Sequence, residues 1–567
     1  MSARRGADLL CDALVAAGTR CVFGLPGTQN IGLFDALRRS PLRTIVATHE
    51  LSASMMANGH YRASGRAGVV VTIPGPGFTF ALTGLAEAFL DSAAVVHLVG
   101  AGWREGDAPL RLQALDQAAV AAPLVKACLR LDDVADIPAV VAQAFATALS
   151  GEPGPVLLEV ARHVLDDAAA PAPAPTAGAA SAPRLDAATL AAIVAATVAA
   201  RRCVLFLGQG CAAARVAATA LAERLGAAVV TTTSGRGCVA EDHPLSLGFE
   251  LGGTGSATLN ALLDAADLVL AFGVKFSHNG SRGFALRIDR DKLVHVDASP
   301  AVLAASRYPA RIAACADAPS ALQQLLDALP ATRADTHRFD DADITQWRQR
   351  GRAETLAGQV EPNVAGSRAA DFFAALERTL PADAVLVTDS GQHQMLAREH
   401  LRVRAPRGLM VPTNLQSMGF GIGAAIGACV AGRRAVALVG DGGLAMSGLE
   451  LLAAVRDGID LVVIVFVDGA YGMIRAQQLA ASGRAFGTTL AALDGGLFAA
   501  AIGATCLRVG DDAQAVLREA FASRGVVIVE VPLHDSANMH WSRAKGMARR
   551  ALGPGLLQRL RHWRRRP

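Results

Sequence analysis

Two acids, Asp441 and Asp468, stand where this chain could hold a cation. In "RAVALVGDGGLAMSGLELL" a β-branched run stops at Gly440-Asp441-Gly442-Gly443 and resumes with helical spacing, and in "IDLVVIVFVDGAYGMI" a second run stops at Asp468. The acids are 27 residues apart, about the length of one strand-helix-strand crossover, which sets them side by side at the carboxyl edge of two neighbouring parallel strands. Two bare carboxylates that close repel, and a hard cation relieves them. With a backbone carbonyl from the turn and oxygens from a diphosphate, the result is an all-oxygen site suited to magnesium. The glycines let phosphate approach the backbone and offer amide donors at a helix N-terminus. A lone Gly-Asp-Gly would be a turn with an acid capping the helix; the second acid at crossover distance favours the cation.

The elements that must position these acids are short apolar runs. "GVVVTIP", "AAVVHLVG", "RCVLFLG", "AAVVTTT", "DLVLAFG", "KLVHVD" and "AVLVTD" alternate with Ala/Leu-rich helical stretches. Runs this continuous, separated by helices, predict parallel strands covered on both faces. A Pro/Ala-rich spacer at 166–185 and a polar stretch at 331–365 divide the chain. The expectation is an α/β protein of three doubly wound parallel-sheet domains, at 1–165, 186–330 and 366–535, followed by a basic tail at 536–567.

Composition narrows the class. The chain has 567 residues, 52% hydrophobic and 18% charged, and is too long for one core. No apolar run of membrane-spanning length lacks charged or glycine interruptions. Nine cysteines without paired spacing suit reduced thiols and a cytoplasmic location. The tail carries nine Lys/Arg and no acid from Trp541 onward; it reads as a solvated terminus, so neither nucleic acid nor membrane is expected as a partner.

"GDGGLAMSGLEL … VDGAYGMI" resembles the diphosphate-magnesium motif of thiamine-diphosphate enzymes, with Val467-Asp468 in place of the family's paired Asn, as in catabolic acetolactate synthases. The resemblance implies thiamine diphosphate and Mg2+ as cofactors. It makes Asp441, Asp468 and the Ala470 carbonyl the metal ligands, with Gly440, Gly442, Gly443, Tyr471 and Gly472 around the diphosphate. "LRTIVATHELSASMMANGHYRASGRAGVVVTIPGPGF" is similar to the family's pyrimidine-binding domain. Glu50, read as ending the strand "TIVATHE", matches the catalytic glutamate, which must be poorly solvated to relay a proton to the pyrimidine ring; Pro76 follows in the PGPG turn. Gly391, Gln392 and His393 of "TDSGQHQM" line the diphosphate end by the same match. Met418 props the cofactor into its bent form, and Met446 meets the pyrimidine through its backbone. Gly423 stands where the family usually has Pro.

Among relatives the look is that of the acetolactate synthase large subunit, carried by "FGLPGTQNIGLFDAL", "GQHQM" and "TSGRGCVAEDHPLSLGF". The resemblance implies decarboxylation of a pyruvate-like 2-oxo acid and ligation of the resulting enamine to a second carbonyl. The substrate residues it suggests are Thr28, Gln113 (in Leu112-Gln113, where the family has Phe-Gln), and Lys275 or Arg282 for the acceptor carboxylate. It also implies a homodimer or homotetramer with active sites between subunits. The Gly-rich turn of "VLFLGQGCAAAR" leaves FAD possible in the central domain, although an empty site is expected. The alternatives are a 2-oxo acid decarboxylase, an acyl-CoA lyase or an aldehyde carboligase, and more remotely a non-catalytic scaffold.

Overall fold

The computed structural model describes residues 4–102, 112–170, 182–248, 257–330, 339–356 and 363–534. Every apolar run quoted above becomes a strand, and the strands form three sheets. The N-terminal sheet runs, in spatial order, Arg43–Val46, Cys21–Gly24, Gly68–Thr72, Val95–Gly100, Val156–Val160 and Ala127–Leu131, all parallel. The central sheet runs Ala228–Thr231, Cys203–Leu207, Leu268–Phe272, Leu293–Asp297 and Ile312–Cys315, again parallel. In the C-terminal sheet Val526–His534, Leu461–Val467, Ala435–Gly440 and Val385–Thr388 are parallel neighbours. A small antiparallel pair, Asn363–Val364 with Ser367–Arg368, finishes its edge. Strands buried on both faces explain why the runs are apolar without alternation.

Two parts of the expected layout come out differently. The stretch 331–365, read as a polar linker, carries the helix Asp341–Leu356. Phe339 and Ile344 are buried there in the core of the central domain, beside Leu263 and Val269. Ala168–Ala169, inside the first spacer, pairs antiparallel with Arg4–Arg5, while 171–181 and the basic tail 536–567 lie outside the described residues.

The N- and C-terminal domains share one core, because the helix Glu50–Ser64 lies directly across the helix Phe420–Val430. The crossing is made by glycines. A Cβ on Gly59 would stand 2.5 Å from the Ala424 Cα, one on Gly427 2.9 Å from the His60 amide, and one on Gly423 2.9 Å from the Met55 Cβ. At Gly59 and Gly427 backbone meets backbone directly. This gives Gly423 a physical reason: it lies on the same face of the crossing, against Met55 and Ser52.

Candidate active site

Asp441 and Asp468 arrive as their spacing predicts. Gly440 pairs in register with Phe466 on adjacent parallel strands, so Asp441 and Asp468 begin the two neighbouring turns. The Asp441 carboxylate draws both turns together, accepting from the amides of Gly442 (2.8 Å), Gly469 (2.7 Å) and Asp468 (3.2 Å). Burial raises its pKa, and those amide bonds act in the opposite direction. Asp468 accepts from the Ala470 amide at 3.1 Å, and Ala470 is buried. Among the described residues no three His, Cys, Asp or Glu side chains cluster as a metal site. A cation at these turns would therefore complete its shell from the Ala470 carbonyl, a bound ligand and water.

The glycines around the acids leave room that side chains line. A Cβ on Gly442 would sit 2.9 Å from the Tyr471 ring and 3.3 Å from the Met418 methyl, so Met418 and Tyr471 flank the turn. A Cβ on Gly472 would meet the Gln392 amide oxygen at 2.7 Å, and one on Gly440 the His393 Nδ1 at 3.3 Å. His393 is buried, and its Nε2–H donates to the Asp389 carbonyl at 3.0 Å. Burial lowers its pKa to about 4, so the ring is neutral. Gly391, with φ 158°, is in extended backbone ahead of it. Met446 lies on the helix Asp441–Ser447 and is 54% exposed.

Glu50 sits in the other half of the site. It is the first residue of the helix Glu50–Ser64 rather than the last of a strand: the strand stops at Val46, and His49 caps the helix by accepting from the Leu51 amide at 3.1 Å. Glu50 is half-buried, and its Oε1 is 3.2 Å from where a Gly77 Cβ would stand, next to the Pro76 turn. Gly75, with φ 66°, shapes that turn, and its amide donates to the buried Gln117 at 3.0 Å. Gln113 packs its Cβ against Gly75, and Thr28 is exposed in the loop after Cys21–Gly24, so both lie at the Glu50 edge of the sheet.

The two cations are carried by the central domain. Lys275 lines a cavity at the carboxyl ends of the central strands, where it pairs with Glu152 and donates to the Leu90 carbonyl at 3.0 Å. Arg282 is buried near Arg236 and Arg398, whose charges, after burial itself, lower its pKa to about 9.

Three buried acids escaped sequence reasoning. Asp389 accepts from the amides of Gly419 (2.9 Å) and Ser390 (2.8 Å), tying the strand end before Gly391 to the helix behind Met418. Glu450 reaches from the C-terminal domain to Thr48, accepting from its hydroxyl at 2.7 Å and its amide at 3.1 Å, just ahead of Glu50. Glu87 accepts from the Ser417 hydroxyl at 2.6 Å and amide at 3.1 Å, just ahead of Met418.

Known proteins resemble this chain along most of its length. Residues 4–120, 190–325 and 389–531 match, respectively, the N-terminal TPP binding domain, the central domain and the C-terminal TPP binding domain of the thiamine pyrophosphate enzymes. The chain is similar to the probable acetolactate synthase 2, chloroplastic, of Oryza sativa subsp. japonica (33% identity, 84% of this chain and 72% of the relative). It is also similar to the acetolactate synthase large subunit of Parasynechococcus marenigrum (32%, 83% and 78%). With the probable large subunit of Methanocaldococcus jannaschii it shares 30% identity over 84% of this chain and 82% of the relative. The chain belongs to the thiamine pyrophosphate enzymes, within the acetolactate synthase family.

Proposed function

We propose that this thiamine-diphosphate-dependent carboligase decarboxylates a pyruvate-like 2-oxo acid and joins the remaining fragment to a second 2-oxo acid, with Mg2+ at Asp441, Asp468 and the Ala470 carbonyl. The observation that carries the reading is the pair of acids at adjacent parallel strand ends, in a glycine cradle walled by Met418, Tyr471 and Gln392. Bound thiamine diphosphate supplies the electron sink for loss of carbon dioxide and the carbon nucleophile for ligation. The acids would hold the cation, whose charge would offset the diphosphate, and the helix N-terminus after Gly442 would face its oxygens. Met418 would hold the bend, and Glu50 would exchange a proton with the pyrimidine ring.

A second copy of the chain supplies the missing half of each site. Gly77, beside Glu50, and Glu87, beside Ser417, are ten residues apart on the helix Pro76–Leu90, about 15 Å of rise. Within one chain the Glu50 edge thus stands away from the Met418 end. Around the diphosphate turn Met446 (54%), Leu449 (63%) and Leu497 (73%) are exposed, and near Glu50 so is Phe80 (52%). Apolar surface of this kind marks an interface, and homodimerisation would cover it while bringing Glu50 of the partner to the cofactor.

The lining of the central cavity speaks against FAD. Gly208 and Gly210, the pair that suggested a nucleotide turn, are consumed by close packing on Gly273. The described residues around the cavity offer Asp297, Asp317 and Glu152, with Lys275 already paired to Glu152, and a flavin pyrophosphate would meet more negative charge than positive.

Incubation of the purified protein with pyruvate, thiamine diphosphate and Mg2+, followed by mass spectrometry, should yield acetolactate and carbon dioxide. Finding neither would reject the substrate reading. The protein should show no flavin absorbance and should sediment as a dimer or larger.

A further inference from the structure

The sheet edge that carries Glu50 also holds a glutamine, Gln29, in the turn 27–30 after the strand Cys21–Gly24. Buried Asn30 shapes that turn. Its amide donates to the Gly27 carbonyl (3.1 Å), its Oδ1 accepts from the Gly27 amide (2.7 Å), and its Nδ2 donates to the Leu25 carbonyl (3.1 Å). Thr28 and Gln29 are left at the tip. A Cβ on Gly100 would stand 2.8 Å from the Pro74 Cδ and 3.7 Å from the Gln29 Cβ, and one on Gly75 2.9 Å from the Gln113 Cβ. Gln29 and Gln113 therefore stand beside Pro74 and Gly75, and Gly77, two residues on, is the one that meets Glu50. Ile73 joins the two turns: a Cβ on Gly27 would stand 2.4 Å from its Cγ2, and one on Gly77 2.8 Å from its Cγ1. On the other side, fully buried Gln117 accepts from the Gly75 amide and donates to the Gly100 carbonyl (3.0 Å) and to Glu159 (2.9 Å), which fixes the surface against which Gln113 packs.

Gln29 and Gln113 are half-buried, and the buried end of each is its Oε1, which has no hydrogen-bond partner among the described residues. A buried acceptor without a donor costs stability, and methionine would fill a similar volume without that cost. Two such amides at one edge are accounted for by their other ends, the Nε2–H donors, which are left to face a ligand. An amide donates without carrying charge. A lysine or arginine beside Glu50 would stabilise its carboxylate and pull its pKa down, against the needs of a proton relay; amides hold an anion there and leave that equilibrium alone. Such donors suit one of the two substrates. They stabilise an ionised carboxylate and so oppose its loss as carbon dioxide, which fits them to the 2-oxo acid whose carboxylate survives in the product. We propose that Gln29, together with Gln113, donates to the carboxylate of the second 2-oxo acid, and that Gln29 thereby sets the preference for an acceptor bearing a carboxylate over a neutral aldehyde. This rests on the function proposed above.

The test makes two acceptors compete for one donor. The full chain, with thiamine diphosphate and Mg2+, is given pyruvate together with equal amounts of 2-oxobutyrate and propanal, and the ligation products of these two acceptors are measured by mass spectrometry. The wild type should favour the 2-oxobutyrate product. Gln29→Met, which keeps the length and loses the donor, should lower the product ratio about tenfold, the scale of one hydrogen bond to a charged group. Gln29→Glu, which sets a like charge against the carboxylate, should lower it further while carbon dioxide is still released. General damage to the fold would reduce both products together and leave the ratio alone. An unchanged ratio in Q29M, or a wild type that prefers propanal, overturns the proposal. A wild type that releases no carbon dioxide from pyruvate rejects the function above, and calorimetric titration with pyruvate then judges Gln29 by itself. Binding about tenfold tighter in the wild type than in Q29E would support the assignment, and equal binding, or none in either, would overturn it.

Discussion

Replacing Glu450 by alanine tests how the C-terminal domain holds the catalytic end of the N-terminal one. Glu450 is 1% exposed and accepts from the Thr48 hydroxyl and amide, two residues before Glu50 opens its helix. Alanine removes the acceptor of both donors; Thr48 is exposed, so water can take them up and each lost bond costs about 0.5–1 kcal/mol, with about 0.5 kcal/mol more for the lost attraction between an anion and a helix N-terminus. The expected loss is about 2 kcal/mol in denaturant unfolding, with Thr48 losing amide protection. Glu450→Gln keeps an acceptor and adds a donor to which the Thr48 hydroxyl can turn, so it should cost about 1 kcal/mol. Burial is the largest influence on Glu450 and holds its pKa above the ordinary value, against the pull of Thr48. A raised carboxyl contributes stability that is complete below the unfolded pKa and is lost as pH rises through the folded one. E450Q, which cannot ionise, should lack that slope. If E450A unfolds at the wild-type denaturant midpoint with Thr48 still protected, the bond between the domains carries no weight and the reasoning fails.

Three further outcomes follow from the site. Glu50→Gln should keep thiamine diphosphate binding by calorimetry but lose at least about 100-fold in turnover, the usual scale of general acid-base catalysis; unchanged turnover removes Glu50 from the mechanism. Asp441→Asn should weaken Mg2+-dependent cofactor binding more than Asp468→Asn, because Asp441 also ties together the amides of Gly442, Asp468 and Gly469; equal losses would argue that only charge matters. Gly59→Ala should destabilise the protein by about 3 kcal/mol or more, because its Cβ meets backbone rather than a movable side chain, and a melting temperature equal to wild type would contradict the close crossing.

The parallel strands were legible because burial on both faces leaves continuous apolar runs, and Asp441 with Asp468 because a crossover has a characteristic length. Glu50 was placed in the right turn but on the wrong element, since "TIVATHE" stays apolar past the last paired residue, Val46. The helix Asp341–Leu356 was hidden by its polar surface, with Phe339 and Ile344 turned fully inward nearby. Glu87 and Glu450 could not be found at all. Their partners lie 330 and 402 residues away, and no local pattern marks an acid whose purpose is a bond across domains.

The glycine crossing between Glu50–Ser64 and Phe420–Val430 bears on how substrate enters. Surfaces cushioned by side chains can slide by exchanging rotamers, whereas backbone seated on backbone has no such intermediate steps. The N- and C-terminal domains are therefore expected to move together, since opening them like jaws would cost the shared core. Admission of substrate and release of product must be sought in smaller motions, at the loop carrying Thr28 and in the turn from Gly469 to Tyr471.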